Sequence, residues 1–141
     1  MTWQLFDTEI NGIPSQVLLD DSFSKEMPSD DLPNLARLRV GCQQTPEGGY
    51  WHPDESSALD HVENDLLGLA QQFGHGWAVY VRRVDSPGLR EYDLYFGGDA
   101  DLSKIVPSLM ELHPGYRIQW ECTTDLGWQQ YASWLTAMAQ G

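Results

Sequence analysis

The sequence predicts an α+β fold. Six stretches alternate apolar and polar residues as half-buried strands do, and three others repeat apolar residues at helical spacing. Two pairs of the alternating stretches are joined by tight-turn signals, which makes each pair an antiparallel hairpin.

Residues 3–10 and 13–20 flank Asn11-Gly12, a strong hairpin signal because both turn positions want φ > 0. A two-residue turn sets Ile10 opposite Ile13 and Phe6 opposite Val17. One face then carries Phe6, Ile10, Ile13, Val17 and Leu19, and the other Trp3, Leu5 and Leu18. Residues 21–33, with Ser22, Ser24, Pro28, Ser29, Asp30, Asp31 and Pro33, read as an acidic surface loop. In residues 34–42, Ala36, Leu38, Val40 and Cys42 face one way while Arg37 and Arg39 face the other. Residues 43–50, with Pro46 and Gly48-Gly49, form a turn-rich connection.

From Asp54 the period becomes helical. Leu59, Val62, Leu66, Leu69 or Ala70, and Phe73 make the apolar stripe, Asp54 and Glu55 suit the helix dipole, and Gly74 and Gly76 stop the helix. A second hairpin joins 77–84 to 89–96 around Asp85-Ser86-Pro87-Gly88. With Val84 opposite Leu89, Arg83 opposes Arg90, Arg82 opposes Glu91, Val81 opposes Tyr92 and Tyr80 opposes Asp93. Its inner face is Trp77, Val79, Val81, Tyr92, Leu94 and Phe96. Residues 97–99 turn, residues 101–112 form a short helix, and His113-Pro114-Gly115 ends it. In 116–122, Tyr116, Ile118, Trp120 and Cys122 face the core. Asp125 then caps a last helix bearing Trp128, Tyr131, Leu135 and Met138. Without the first hairpin and last helix, the order β-α-β-β-α-β is the split βαβ of a ferredoxin-like sandwich, with 34–42 and 89–96 as central neighbours and both helices on one sheet face.

At 141 residues the chain suits one domain over 1–141, large enough to fold without metal or disulfide. Acids outnumber bases 21 to 8, a formal charge of −13 that argues against duplex nucleic acid or an anionic membrane as main partner. No apolar run approaches the roughly 18 residues of a membrane span. The first seven residues lack the basic and apolar regions of a signal peptide. Cys42 and Cys122 lie far apart and in no motif, which suits a reducing compartment and points to the cytoplasm.

All six arginines fall on expected strands. Arg37, Arg39, Arg82 and Arg117 point away from the helices, on a face shared with Glu91, Asp93, Glu121, Tyr80 and Tyr95. The long helix, by contrast, carries Asp54, Glu55, Asp60, Glu63 and Asp65 with no base. The arginine face reads either as a solvated sheet surface held by cross-strand ion pairs or as a site for an anion gripped by bidentate guanidiniums around Arg37, Arg82 and Arg90. The acidic side reads either as solvation or as a surface that steers the protein toward a basic partner.

Catalytic signatures are mostly absent, although two of Glu55, Glu63, Asp65 and Glu91 could pair as acid and base. The four histidines lack metal-site spacing, no metal or cofactor is implied, and no nucleophile elbow or phosphate-binding glycine loop occurs. His61 and Asp65 share a helix face, too few for a metal site. Cys42 and Cys122, both inward on their strands, read as buried structural thiols. Trp51, in a glycine-rich connection, and Trp134, off its helix's apolar stripe, are either lids over core edges or anchors of an interface.

These features resemble the bacterial family of domains of unknown function 695. The resemblance rests on Trp3, Asn11-Gly12 before Pro14, Val17-Leu18-Leu19-Asp20 and the strand over 35–40. It continues with Glu55, Leu59, Val62-Glu63-Asn64-Asp65-Leu66, Tyr80-Val81-Arg82-Arg83, residues 88–95 and Asp125-Leu126-Gly127-Trp128-Gln129-Gln130-Tyr131. It implies no activity. It marks Arg82, Arg90, Glu91, Asp125 and Trp128 as recurring positions, with Arg82–Glu91 as a cross-strand pair and Asp125 with Trp128 as a helix start docked on the sheet. In plan the chain is also similar to small acidic bacterial inhibitors of ribonuclease E, a likeness of fold alone.

The leading expectation is therefore a non-catalytic cytoplasmic binding or regulatory domain whose partner is another protein, the acidic balance favouring a basic one. The alternatives are a small enzyme or ligand-binding protein that takes an anionic molecule on the arginine face, and an immunity-type inhibitor of a basic toxin. A homodimer through the open sheet face would compete for the same arginines.

Overall fold

The computed structural model describes residues 3–25, 31–47, 49–98 and 100–140, with the side chains of Ser24 and Lys25 left out. Pro28, Ser29 and Asp30 of the expected acidic loop, together with Gly48 and Asp99 of two expected turns, lie outside the described residues. The strands are β1 (Trp3–Ile10), β2 (Ile13–Asp20), β3 (Asn34–Gly41), β4 (Ala78–Ser86), β5 (Leu89–Phe96) and β6 (Arg117–Thr124). The helices are α1 (Ser56–Gly74), α2 (Leu102–Leu112) and α3 (Gln129–Gln140). The strands form one six-stranded antiparallel sheet in the order β1-β2-β4-β5-β3-β6.

Local chemistry explains the first hairpin. Asn11 and Gly12 take φ of 53° and 79°, as a tight turn requires, and Ile10 pairs with Ile13. β3 lies between β5 and β6, so the strands expected as central neighbours do pair. The helix-facing residues of these strands, Ala36, Leu38, Val40, Tyr92 and Leu94, build one core with Leu59, Val62 and Leu66 of α1 and Ile105 and Leu109 of α2. α3 packs on the opposite face. There Val17, Leu19, Val81 and Tyr95 enclose Trp128 and Tyr131 in a second core. Helices therefore lie on both faces of the sheet.

The second hairpin differs from its expected register. Ser86, not Val84, opposes Leu89, so the turn is the two residues Pro87-Gly88, with Gly88 at φ 79°. The shift replaces the expected Arg83–Arg90 like-charge contact with Asp85 opposite Arg90, and it brings Arg82 opposite Asp93 rather than Glu91. A bulge between Tyr80 and Arg82 then changes the strand's parity. Tyr80 joins the α1 side, while Trp77, Val79 and Val81, expected beside Tyr92 and Leu94, pack in the α3 core. Trp77 lies against the turn after β5, where Gly98, with φ of 52°, leaves it room: an added Cβ would collide with its ring.

β6 is an edge strand, and the helical layer covers it only as far as Ile118. Trp120 is 43% exposed and Cys122 is exposed, against the expectation that both are buried. Trp128 is 1% exposed, stacks on Tyr95 at 4.1 Å between ring centroids, and donates its indole N–H to the Leu32 carbonyl. Trp128→Ala should therefore cost about 3–5 kcal/mol of unfolding free energy, whereas Trp120→Ala should stay within about 0.5 kcal/mol of the parent. Urea denaturation of both variants measures this, and equal losses would contradict the two-core arrangement.

Candidate functional site

The outer sheet face, away from α1 and α2, is organised by charge. Register places Arg82 of β4, Asp93 of β5, Arg37 of β3 and Glu121 of β6 side by side, an alternating row across four strands. Arg37 donates its Nε–H to Asp93 Oδ1 at 2.8 Å. Arg82 Nε lies 3.4 Å from Asp93 Oδ2, near enough to pair but off line for a hydrogen bond. Asp93 is 0% exposed, so two guanidiniums share one buried carboxylate. Burial holds that carboxyl above its ordinary pKa, although Arg82 and Arg37 pull the other way. One row along, Arg39 donates to Glu91 at 3.0 Å and to Glu121 at 3.2 Å.

This face is not open at its centre. Trp134 of α3 covers the Arg82 guanidinium at 4.1 Å, and burial, ahead of the opposing pull of Asp93, lowers the Arg82 pKa. Tyr95 donates its hydroxyl to Asp125 at 2.6 Å, and burial followed by that bond holds the phenol well above its usual range. Asp125 also accepts from the backbone N–H groups of Gln129 and Gln130, so one carboxylate caps α3 and ties it to the sheet. Beyond α3, a cleft of about 250 Å³ is lined by Arg37, Arg39, Arg82 and Glu91, with the β1–β2 hairpin as its wall.

Two residues assigned to this face lie on the other. Arg90 is 2% exposed and faces α1, because its place in the register matches Val40 and Asp85. Its Nε–H donates to Asp85 at 2.7 Å, and its guanidinium lies 4.7 Å from the Trp51 ring centroid. Burial opposes the Arg90 cation, yet Asp85 and Tyr92 outweigh it and raise its pKa. Tyr80 donates to Glu63 of α1 at 3.0 Å, with the bulge at Val81 having turned it inward. Glu63 also accepts two hydrogen bonds from Arg83, whose Nε–H donates to Asp85. Trp51 is half-buried against the α1–α2 core, and Trp134 against the α3 core.

Glu55 is a residue whose role sequence reasoning missed. It reads as a helix-start acid, yet it is 2% exposed and accepts from Gln43 N–H, Gln44 N–H and the Tyr116 hydroxyl. The only signal in the sequence is its place just after a turn-rich segment. Burial pushes its carboxyl up, but these three donors, with His52, more than reverse that and leave the pKa below 4.5. A carboxyl lowered on folding stabilises the fold above its unfolded pKa, and that contribution is lost as pH falls through the folded value. Among the described residues, no cluster of three or more His, Cys, Asp or Glu is placed to hold a metal. Among the same residues, no helix is long and apolar enough to cross a membrane.

Two outcomes follow for stability. Removing either Arg37 or Arg82 leaves Asp93 one partner, whereas removing both strips it. The Arg37→Ala, Arg82→Ala double variant should thus lose more than the sum of the single losses, with the last partner's removal costing about 3–5 kcal/mol. A double-mutant cycle by urea unfolding that closes additively would refute the shared-carboxylate arrangement. Glu55→Gln should reduce the fall in stability between pH 7 and pH 3, and an unchanged fall would show that Glu55 does not titrate with folding.

The family model described as "Family of unknown function (DUF695)" matches residues 1–136. No curated protein and no solved structure matches the chain. The family match takes in all six strands and most of the last helix, and with them the residues of the charged row and the Tyr95–Asp125–Trp128 junction. The chain thus belongs to the family of unknown function DUF695.

Proposed function

We propose that the protein is a non-catalytic cytoplasmic binding or regulatory domain whose partner is a basic protein. The observation that supports this is where the cations go. Arg37, Arg39, Arg82, Arg83 and Arg90 all form ion pairs with the protein's own carboxylates. Many acids stay in solvent: the side chains of Glu47, Asp54 and Asp60 are 75%, 80% and 62% exposed. A chain of net charge −13 that pairs five of its six arginines with its own acids presents an acidic exterior, which accelerates encounter with a basic surface.

The finer architecture belongs to the same proposal. β3, α1, β4, β5, α2 and β6 read as a ferredoxin-like split βαβ core, supported by the antiparallel order β4-β5-β3-β6 and by both helices lying on one face. The likeness to acidic ribonuclease E inhibitors, and the immunity-type alternative, share this mode: an acidic surface covering a basic enzyme.

Affinity capture from host lysate at low and high salt tests the proposal. A basic protein should be recovered at low salt, lost at high salt, and lost in a charge-reversal variant, Asp7→Lys with Glu9→Lys on β1 or Glu47→Lys with Asp54→Lys ahead of α1. An empty capture at every salt concentration overturns it. A second reading, an anionic small molecule in the Arg37–Arg39–Arg82 cleft, is favoured by the two guanidiniums that share Asp93. It expects phosphates or carboxylates to raise the melting temperature in the parent and not in Arg39→Gln. An unmoved melting temperature rejects it.

A further inference from the structure

Among the described residues, α1 and α2 build their core on the strands beyond β2 and leave aside the face of the β1–β2 hairpin that carries Trp3 and Leu18, which borders Phe23 of the short turn after β2. Between this face and α1 lies an open cavity of about 430 Å³. Its walls include Leu18 of β2, Leu67 of α1 and the rings of Trp3 and Tyr80, whose centroids are 5.1 Å apart. Leu67 is 41% exposed at the rim.

Two carboxylates belong to the same cavity. Glu63 is occupied, accepting from Tyr80 and Arg83. Asp20 is 0% exposed; its Oδ1 accepts from Ser22 N–H, while its Oδ2 has no hydrogen-bond partner. A buried carboxylate with one oxygen unsatisfied is costly unless a positive group lies close by. Aromatic walls over an acidic floor are the surroundings in which an organic cation on an apolar stem is held, the ring faces and the carboxylate attracting the charge while the walls cover the stem.

We infer that this cavity receives a lysine or arginine side chain of the basic partner, with Asp20 supplying the charge and Trp3, Tyr80 and Leu67 the apolar sleeve. The inference rests on the acidic-surface reading above and adds the point at which the partner is gripped. Charge complementarity argues for this occupant. An anionic group would face Asp20 and Glu63, and an uncharged one would leave Asp20 unpaired.

The test is an amide chemical-shift titration of the full chain with the peptide Gly-Gly-Arg-Gly-Gly and its neutral isostere Gly-Gly-citrulline-Gly-Gly. The arginine peptide should shift resonances of Trp3, Leu18, Leu67 and Tyr80 and bind at least about tenfold more tightly than the citrulline peptide. Asp20→Asn keeps the Oδ1 acceptor and should lose the preference. Leu67→Arg, a change at an exposed position, should block the mouth with its own guanidinium and abolish the shifts. The Glu47→Lys, Asp54→Lys variant should bind as the parent does. Equal binding of both peptides, or arginine binding that survives Asp20→Asn and Leu67→Arg, overturns the inference. If the Glu47 and Asp54 reversal and added salt remove binding while the cavity variants do not, the acidic-surface reading stands and the cavity is excluded.

Discussion

The shared carboxylate of Asp93 is the constraint on which the sheet's arrangement depends. One buried acid bonded to Arg37 on one side and paired with Arg82 on the other ties β3, β5 and β4 together at a single level. A one-residue slip of any of these strands would turn its charges into an apolar core. A two-residue slip of β4 on β5 would leave Arg82 opposite Glu91 and set Arg83 against Arg90, losing a buried pair and creating a repulsion. The row thus selects register by electrostatics where hydrophobic alternation alone permits both even registers.

The same constraint explains the bulge. With Arg82 held opposite Asp93 and Asp85 opposite Arg90, the C-terminal part of β4 has a fixed parity. Trp77 and Val79, at its other end, belong with the α3 core, and Tyr80 reaches Glu63 on α1. Both demands are met only if one residue is added to the strand, and Val81 is that residue. Asn11-Gly12 admits essentially one turn, which is why the first hairpin's register can be read from local chemistry. Asp85-Ser86-Pro87-Gly88 admits a four-residue or a two-residue connection. The choice between them is made by Asp93 and Asp85, residues whose partners are identified only once the strands are in place.

The faces of charged residues were legible to different degrees for a related reason. Alternation correctly sets Arg37 and Arg39 away from α1 and α2. It does not reveal that away from those helices is partly beneath another one. The stripe of Trp128, Tyr131 and Leu135 shows that the last helix packs on something, yet only the Tyr95–Trp128 stack and the Asp125 cap show on which face. Trp120 errs in the opposite direction. Its alternation is that of a core residue, but an edge strand is buried only where a helix lies above it. Sequence periodicity reports the parity of a side chain, and coverage is a property of the neighbouring layer.

Coverage also links fold to function here. α1 and α2 build a core on four strands, and the sheet of the described residues has six. The two added strands give the outer face a wall and extend the second core through Val17 and Leu19. On the other side, among the described residues, neither α1 nor α2 builds its core on the hairpin, and there Trp3 and Leu18 line a hollow with an Asp20 carboxylate that has one oxygen without a hydrogen bond. Asp93 Oδ2 also lacks a hydrogen bond, but Asp93 has two arginines within ion-pair distance, Asp85 has two more, and Glu55 accepts from three donors. Against that pattern, an acid beneath an apolar hollow on an acidic molecule is best understood as a charge whose counterpart lies on another molecule.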